Sequence, residues 1–126
     1  MMEERVKILC VDDQQIQLEV LKNILGNDYD VTTCDSGRDA LGLLNEGREF
    51  EVLLSDYQMP EMDGLELCME FKRRSPATIR LIMTGYLNPA KMSTLAYPDG
   101  VAAYVLKPLF PQKLLRLIEE ALEGGN

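Results

Sequence analysis

Acidic residues stand at the ends of two apolar, strand-like runs of the sequence. Asp12 and Asp13 come directly after residues 6–11, and Asp56 closes residues 51–56. A strand needs no carboxylate at its end, whereas a carboxylate on a rigid support can bind a cation or attack a phosphorus centre. Each aspartate taken alone could equally cap a helix or lie in a solvated turn.

Two further strand-like runs also end in polar residues, residues 79–84 in Thr84 and residues 102–107 in Lys107. Taken singly, Thr84 could cap a turn and Lys107 could be a solvated loop charge. The chain has no histidine, and its three cysteines lack metal-ligand spacing. Any chemistry must therefore rest on carboxylates, hydroxyls and lysine.

The composition of the chain limits the classes of protein to which it could belong. The chain has 126 residues, 46% of them hydrophobic and 27% charged, which predicts one domain with its own core. A net charge of -8 argues against direct nucleic-acid binding. No apolar run is long enough to span a membrane, and the start does not resemble a signal peptide, so we expect a cytoplasmic location.

The elements that would position the polar residues alternate along the chain. The predicted strands are residues 6–11, 29–34, 51–56, 79–84 and 102–107. The predicted helices are residues 14–25, 36–47, 65–74, 88–96 and 111–123. This order predicts an α/β fold, a flavodoxin-like, doubly wound, five-stranded parallel sheet with helices on both faces. We expect a single domain over residues 1–126, structured over about 5–123, with 124–126 as a tail or the start of a missing linker.

Topology would bring the polar residues together. In an open parallel sheet, ligands bind beyond the carboxyl ends of the strands, and a strand order of 2-1-3-4-5 makes the two acidic ends neighbours. Carboxylates held close raise one another's pKa unless a cation compensates, and oxygen ligands without histidine suit Mg²⁺ or Mn²⁺. We therefore predict a metal and phosphate site, with Asp12 and Asp13 as the metal pair and Asp56 as the nucleophile.

The remaining polar residues have matching roles in this prediction. Lys107 would neutralise charge on the phosphoryl oxygens, and Thr84 would donate its hydroxyl to one of them. Gln58 would offer its backbone carbonyl to the ion.

Four motifs in this order, VDD, SDYQMPEMDG, MTG and YVLKP, resemble those of a bacterial response-regulator receiver domain. The resemblance covers nearly the whole chain. It implies that Asp56 accepts a phosphoryl group from the phosphohistidine of a sensor histidine kinase or a histidine phosphotransfer protein. It also implies Mg²⁺ held by Asp12, Asp13, Asp56 and the carbonyl of Gln58.

The resemblance further implies a switch rather than an enzyme that turns over substrate. Lys107 and Thr84 would contact the phosphoryl group, and Tyr104 would change rotamer, which reshapes the surface of the fourth helix, fifth strand and fifth helix. The output would be a downstream protein or an effector domain absent from this chain. Two positions vary within the family and leave the phosphoryl lifetime open, Gln58 and Tyr86. Pro98 predicts a short fourth helix and an unusual signalling surface.

Other functions remain possible for such a sequence. One is a phosphorylation-independent scaffold with the same fold. A flavin-binding flavodoxin-like module is disfavoured because Asp12 and Asp13 occupy the turn that would hold phosphate, and no G-x-G-x-x-G run is present. An aspartyl-phosphate phosphohydrolase is disfavoured because Gln58 stands where such enzymes need an acid.

Overall fold

The sheet and helices follow the predicted order in a computed structural model that describes residues 4–85 and 100–124. The strands are β1 (Lys7–Val11), β2 (Asp30–Cys34), β3 (Val52–Asp56), β4 (Ile79–Thr84) and β5 (Ala103–Leu106). The helices are α1 (Gln15–Leu25), α2 (Gly37–Asn45), α3 (Gly64–Arg74) and α4 (Pro111–Gly124), the last being the fifth predicted helix. The predicted helix 88–96, Tyr86 and Pro98 lie outside the described residues.

The five strands form one parallel sheet in the order β2-β1-β3-β4-β5, which confirms the predicted fold class. Val11 pairs with Ser55, Asp56 with Met83, and Thr84 with Leu106. Because every pairing is parallel, all five carboxyl ends meet at one edge of the sheet. The residues that follow these ends are therefore brought together by topology.

The sheet separates two hydrophobic clusters. On one face, the side chains of β1, β3 and β4 pack against α1 and α4, with Leu21 and Leu114 fully buried. On the other face, α2 and α3 cover the sheet, with Leu67 and Phe71 fully buried. Burial on both faces explains why the central strands read as nearly continuous apolar runs.

Ile16, Val20 and Ile24 have the spacing of a helix, as α1 confirms, but of these three only Ile24 packs against the core. Ile16 is 80% exposed and Val20 is 38% exposed. The residues that α1 buries are Leu18, Leu21 and Leu25. The helix therefore exposes Ile16 and Val20 to solvent, close to the acidic turn that precedes it.

Two helices on the second face begin at side-chain caps. Ser36, the N-cap of α2, accepts a hydrogen bond of 3.1 Å from the backbone N–H of Asp39. Asp63 forms a capping box with Glu66, which fixes the first turn of α3. Among the described residues, none of the helices is both long and apolar enough to cross a membrane.

Candidate functional site

Three carboxylates lie together at the carboxyl edge of the sheet. One oxygen each from Asp12, Asp13 and Asp56 lies within 4.8 Å of the others. Asp12 is fully buried and Asp56 is 8% exposed, whereas Asp13 is exposed. The register explains the contact, because Val11 pairs with Ser55 and the next residue of each strand is an aspartate.

Asp12 is not a helix N-cap, so that alternative is wrong. The N-cap of α1 is Gln14, without a side-chain cap, and its backbone N–H donates to Asp12 Oδ1 at 3.0 Å. Asp12 Oδ2 is buried and accepts no hydrogen bond from the described part of the chain. Burial raises the pKa of the Asp12 carboxyl; Asp56 and Asp13 add to the rise, and the Gln14 amide and Lys107 oppose it.

Lys107 brings one positive charge into this cluster. Its Nζ lies 2.8 Å from Asp56 Oδ1 and 3.6 Å from Asp12 Oδ2. The backbone N–H of Lys107 donates to the carbonyl of Thr84 at 2.8 Å, which holds the end of β5 beside the end of β4. One ammonium against three carboxylates leaves an excess of negative charge, and the buried Asp12 Oδ2 fits a hard cation as a further partner.

A cleft of about 370 Å³ opens over Asp56, and Thr84 and Gln58 line it with Lys107. Gln58 is exposed and Thr84 is 7% exposed. The loop that carries Gln58 is tied at its start, because the Tyr57 N–H donates to the Met83 carbonyl at 2.9 Å. A small ligand can therefore enter beside the carboxylates.

Tyr104 lies in β5, which is separated from the strand of Asp56 by β4. It is half-buried, packs against the α2–α3 cluster, and its hydroxyl oxygen is buried. Tyr104 pairs with Ile82, and Thr84 lies two residues further along β4 on the same face of the sheet, because side chains alternate along a strand. The hydroxyl of Thr84 and the ring of Tyr104 are thus diagonal neighbours.

The β3–α3 turn closes over the backbone of Asp56. The Gly64 N–H donates to the carbonyl of Tyr57 at 2.8 Å, and a Cβ at Gly64 would collide with the carbonyl oxygen of Asp56. The buried Ser55 hydroxyl donates to that same carbonyl at 3.0 Å. Neither contact was predicted from the sequence, although the serine inside the apolar run LLSD indicates a polar role at this position.

Comparison with known proteins identifies this arrangement. The family model of the response regulator receiver domain matches residues 8–119. The chain belongs to this family. Receiver domains are signalling domains of two-component systems and bind Mg²⁺ through acidic residues, and the receiver domain described here has such an acidic cluster.

Both short and long proteins are similar to this receiver domain. A chemotaxis protein CheY homolog of Campylobacter jejuni is 33% identical, over 96% of this chain and 95% of its own length. The transcriptional regulatory protein ZraR of Escherichia coli is 36% identical over 97% of this chain, which spans only 27% of the length of ZraR. A CheY-like receiver domain structure from Methanospirillum hungatei superposes with a TM-score of 0.87 at 30% identity, covering 97% of each chain.

Proposed function

We propose that this receiver domain accepts a phosphoryl group on Asp56 from a phosphohistidine of a partner kinase or phosphotransfer protein. The observation that carries the proposal is the ion pair of 2.8 Å between Lys107 Nζ and Asp56 Oδ1 beside the buried Asp12. A nucleophilic carboxylate is thereby held on a rigid strand end, next to a cation that can compensate transferred charge. These 126 residues include no histidine, so the donor imidazole comes from outside them.

In the proposed transfer, a carboxylate oxygen of Asp56 forms a bond to phosphorus while the P–N bond of the donor imidazole breaks. The electron pair of that bond remains on the imidazole nitrogen. Lys107 moves from pairing with the carboxylate to neutralising an equatorial phosphoryl oxygen, and Thr84 donates its hydroxyl to another. Asp56 is 8% exposed and lines the cleft, so the donor phosphoryl group can reach its carboxylate from that side.

We propose Mg²⁺ as the cation that this site takes, although Mn²⁺ has the same ligand preference. Asp12, Asp13, Asp56 and the backbone carbonyl of Gln58 are the groups that would hold it. When bound, the ion neutralises charge on the phosphoryl oxygens. The carboxylates supply the oxygen ligands, and Lys107 leaves room for the ion because it pairs mainly with Asp56.

We further propose that phosphorylation is transmitted from Thr84 to Tyr104 and the surface of β5 and α4. A hydroxyl drawn toward the phosphoryl group vacates space that the neighbouring ring can fill. This surface already exposes apolar side chains, with Leu106 52% and Phe110 57% exposed. Its target would be a downstream protein or, as the length of ZraR suggests, an effector domain in a longer chain.

The test of phosphoacceptance is intact mass after incubation with acetyl phosphate. With Mg²⁺ we expect a gain of one phosphoryl group, and with Mg²⁺ removed by a chelator we expect almost none, because the carboxylates then repel the donor. Hydroxylamine should remove the adduct, as it does any acyl phosphate. An adduct that forms equally without divalent cation, or that resists hydroxylamine, would contradict the proposal.

The exposed side chain of Ile16 leads to a prediction about where the phosphohistidine donor protein binds. Ile16 is 80% exposed in the first turn of α1, which follows the cleft residue Gln14, and we expect a donor protein that reaches Asp56 to contact this side chain. Burying an isoleucine contributes about 1.5–3 kcal/mol, so Ile16→Asp should slow transfer from a phosphohistidine protein by about tenfold or more. The rate with acetyl phosphate should not change.

The control for Ile16 is Met69→Asp, on α3 and the opposite face of the sheet. Met69 is 41% exposed, so this change also places a charge on an exposed apolar position. The measurement uses a phosphorylated histidine kinase or phosphotransfer protein that transfers to the wild type. Equal slowing by both variants, or slowing with acetyl phosphate, would argue against docking at Ile16.

A further inference from the structure

Ser55 is a buried hydroxyl within the most apolar part of the sheet. It is fully buried, and its register neighbours are Val11 on β1 and Ile82 on β4, both also fully buried. All three side chains point to the face that α2 and α3 cover. An alanine or valine would pack here without the cost of burying a hydroxyl. The Ser55 hydroxyl therefore needs a hydrogen-bond partner that offsets this cost.

The partner of the Ser55 hydroxyl is the backbone carbonyl of the next residue, Asp56. Ser55 Oγ donates a hydrogen bond of 3.0 Å to the carbonyl oxygen of Asp56. This carbonyl lies at the end of β3, where the regular ladder stops, and Asp56 is 8% exposed, so water has little access to it. A buried carbonyl without a partner is costly, and the Ser55 hydroxyl provides one.

Gly64 confines the same carbonyl from the other side. A Cβ on Gly64 would overlap the Asp56 carbonyl oxygen and would lie 3.1 Å from Tyr57 Cα, so the first residue of α3 sits directly against this peptide group. The peptide plane is thus held between a hydrogen-bond donor and a helix terminus. Fixing this plane fixes ψ of Asp56, and with it the direction in which the carboxylate leaves the strand.

We propose that Ser55 is a positioning residue for the phosphoacceptor. Its hydrogen bond to the Asp56 carbonyl fixes the orientation of the Asp56 carboxylate. The inference rests on the proposed function of Asp56. Reactions that depend on a near-attack geometry are sensitive to small displacements of the nucleophile. Ser55 acts through the Asp56 carbonyl and not through the carboxylate, so beyond its contribution to stability we expect its effect to fall on the rate of transfer.

The test is the rate of phosphorylation by acetyl phosphate in wild type, Ser55→Ala and Ser55→Thr. We expect Ser55→Ala to lower the maximal rate roughly tenfold, with the half-saturating concentrations of acetyl phosphate and Mg²⁺ within about twofold of wild type. Ser55→Thr keeps the hydroxyl and should restore the maximal rate.

A matched control separates positioning from stability. Thr78 is 1% exposed, and its hydroxyl also donates to a backbone carbonyl, that of Phe50 at 2.7 Å, but at the start of β4 and away from the site. Thr78→Val should lower the melting temperature as Ser55→Ala does while leaving the maximal rate unchanged.

The possible outcomes are distinct. A wild-type maximal rate in Ser55→Ala, or an equal loss in Thr78→Val, would overturn the inference and leave the proposed function standing. A wild type that forms no Mg²⁺-dependent adduct would overturn both.

Discussion

Asp56→Asn is expected to abolish the phosphoryl adduct completely. Asparagine has nearly the same shape as aspartate but lacks the carboxylate oxygen that attacks phosphorus, so the fold should persist without the chemistry. The variant also removes the partner of the 2.8 Å ion pair with Lys107, leaving its ammonium 3.6 Å from Asp12. Intact mass with acetyl phosphate and Mg²⁺ measures the loss.

Asp35 provides the control for this substitution. It follows β2 directly, at the same edge of the sheet, and is exposed, but it does not belong to the cluster of three carboxylates. Asp35→Asn should take up one phosphoryl group as the wild type does. An adduct on Asp56→Asn, located to another side chain by peptide mapping, would remove Asp56 from its proposed role.

Gly64→Ala is expected to have the largest effect on stability. The new Cβ would overlap the carbonyl oxygen of Asp56, and both this carbonyl and Tyr57 Cα, 3.1 Å away, belong to the backbone and cannot rotate aside. Overpacking typically costs about 1–3 kcal/mol in free energy of unfolding, and an overlap with backbone atoms places Gly64→Ala at the upper end of that range. The midpoint of urea unfolding should fall, and phosphorylation should slow because Asp56 is displaced.

Gly42 is the matched control for Gly64. It lies within α2, and a Cβ there would meet nothing within 4 Å. Gly42→Ala should raise the free energy of unfolding by about 0.5–1 kcal/mol, because alanine loses less backbone entropy than glycine in a helix. A Gly64→Ala protein with the urea midpoint of the wild type would show that the β3–α3 turn can shift to accommodate a Cβ. The contact between Gly64 and the Asp56 carbonyl would then not require glycine.

The sequence predicted the sheet well because each strand carries its own evidence. Residues 79–84 were predicted as a strand and form β4 with the same bounds, since a short apolar run with β-branched residues strongly favours a strand. The strand order placed Asp12 next to Asp56, and their carboxylate oxygens indeed lie within 4.8 Å of each other. Parallel topology alone accounts for this result.

Other features depend on packing that no local pattern contains. The row of Ile16 and Val20 indicated a helix, but which face is buried depends on where α4 and the sheet lie. Asp12 had the spacing of an N-cap, yet its carboxylate turns into the site and leaves Gln14 at the cap position. The capping box is a local pattern by contrast, because Asp63 and Glu66 already have its spacing in the sequence.

The three cysteines have a practical consequence for experiments on this domain. Burial is the main cause that raises the pKa of the Cys10 and Cys68 thiols to about 12 and that of Cys34 to about 11. Since the thiolate is the nucleophile, alkylating reagents should leave all three untouched while the domain is folded. A fluorophore or spin label attached through one added surface thiol would therefore report from a single known position, and exposure of the native thiols would mark unfolding.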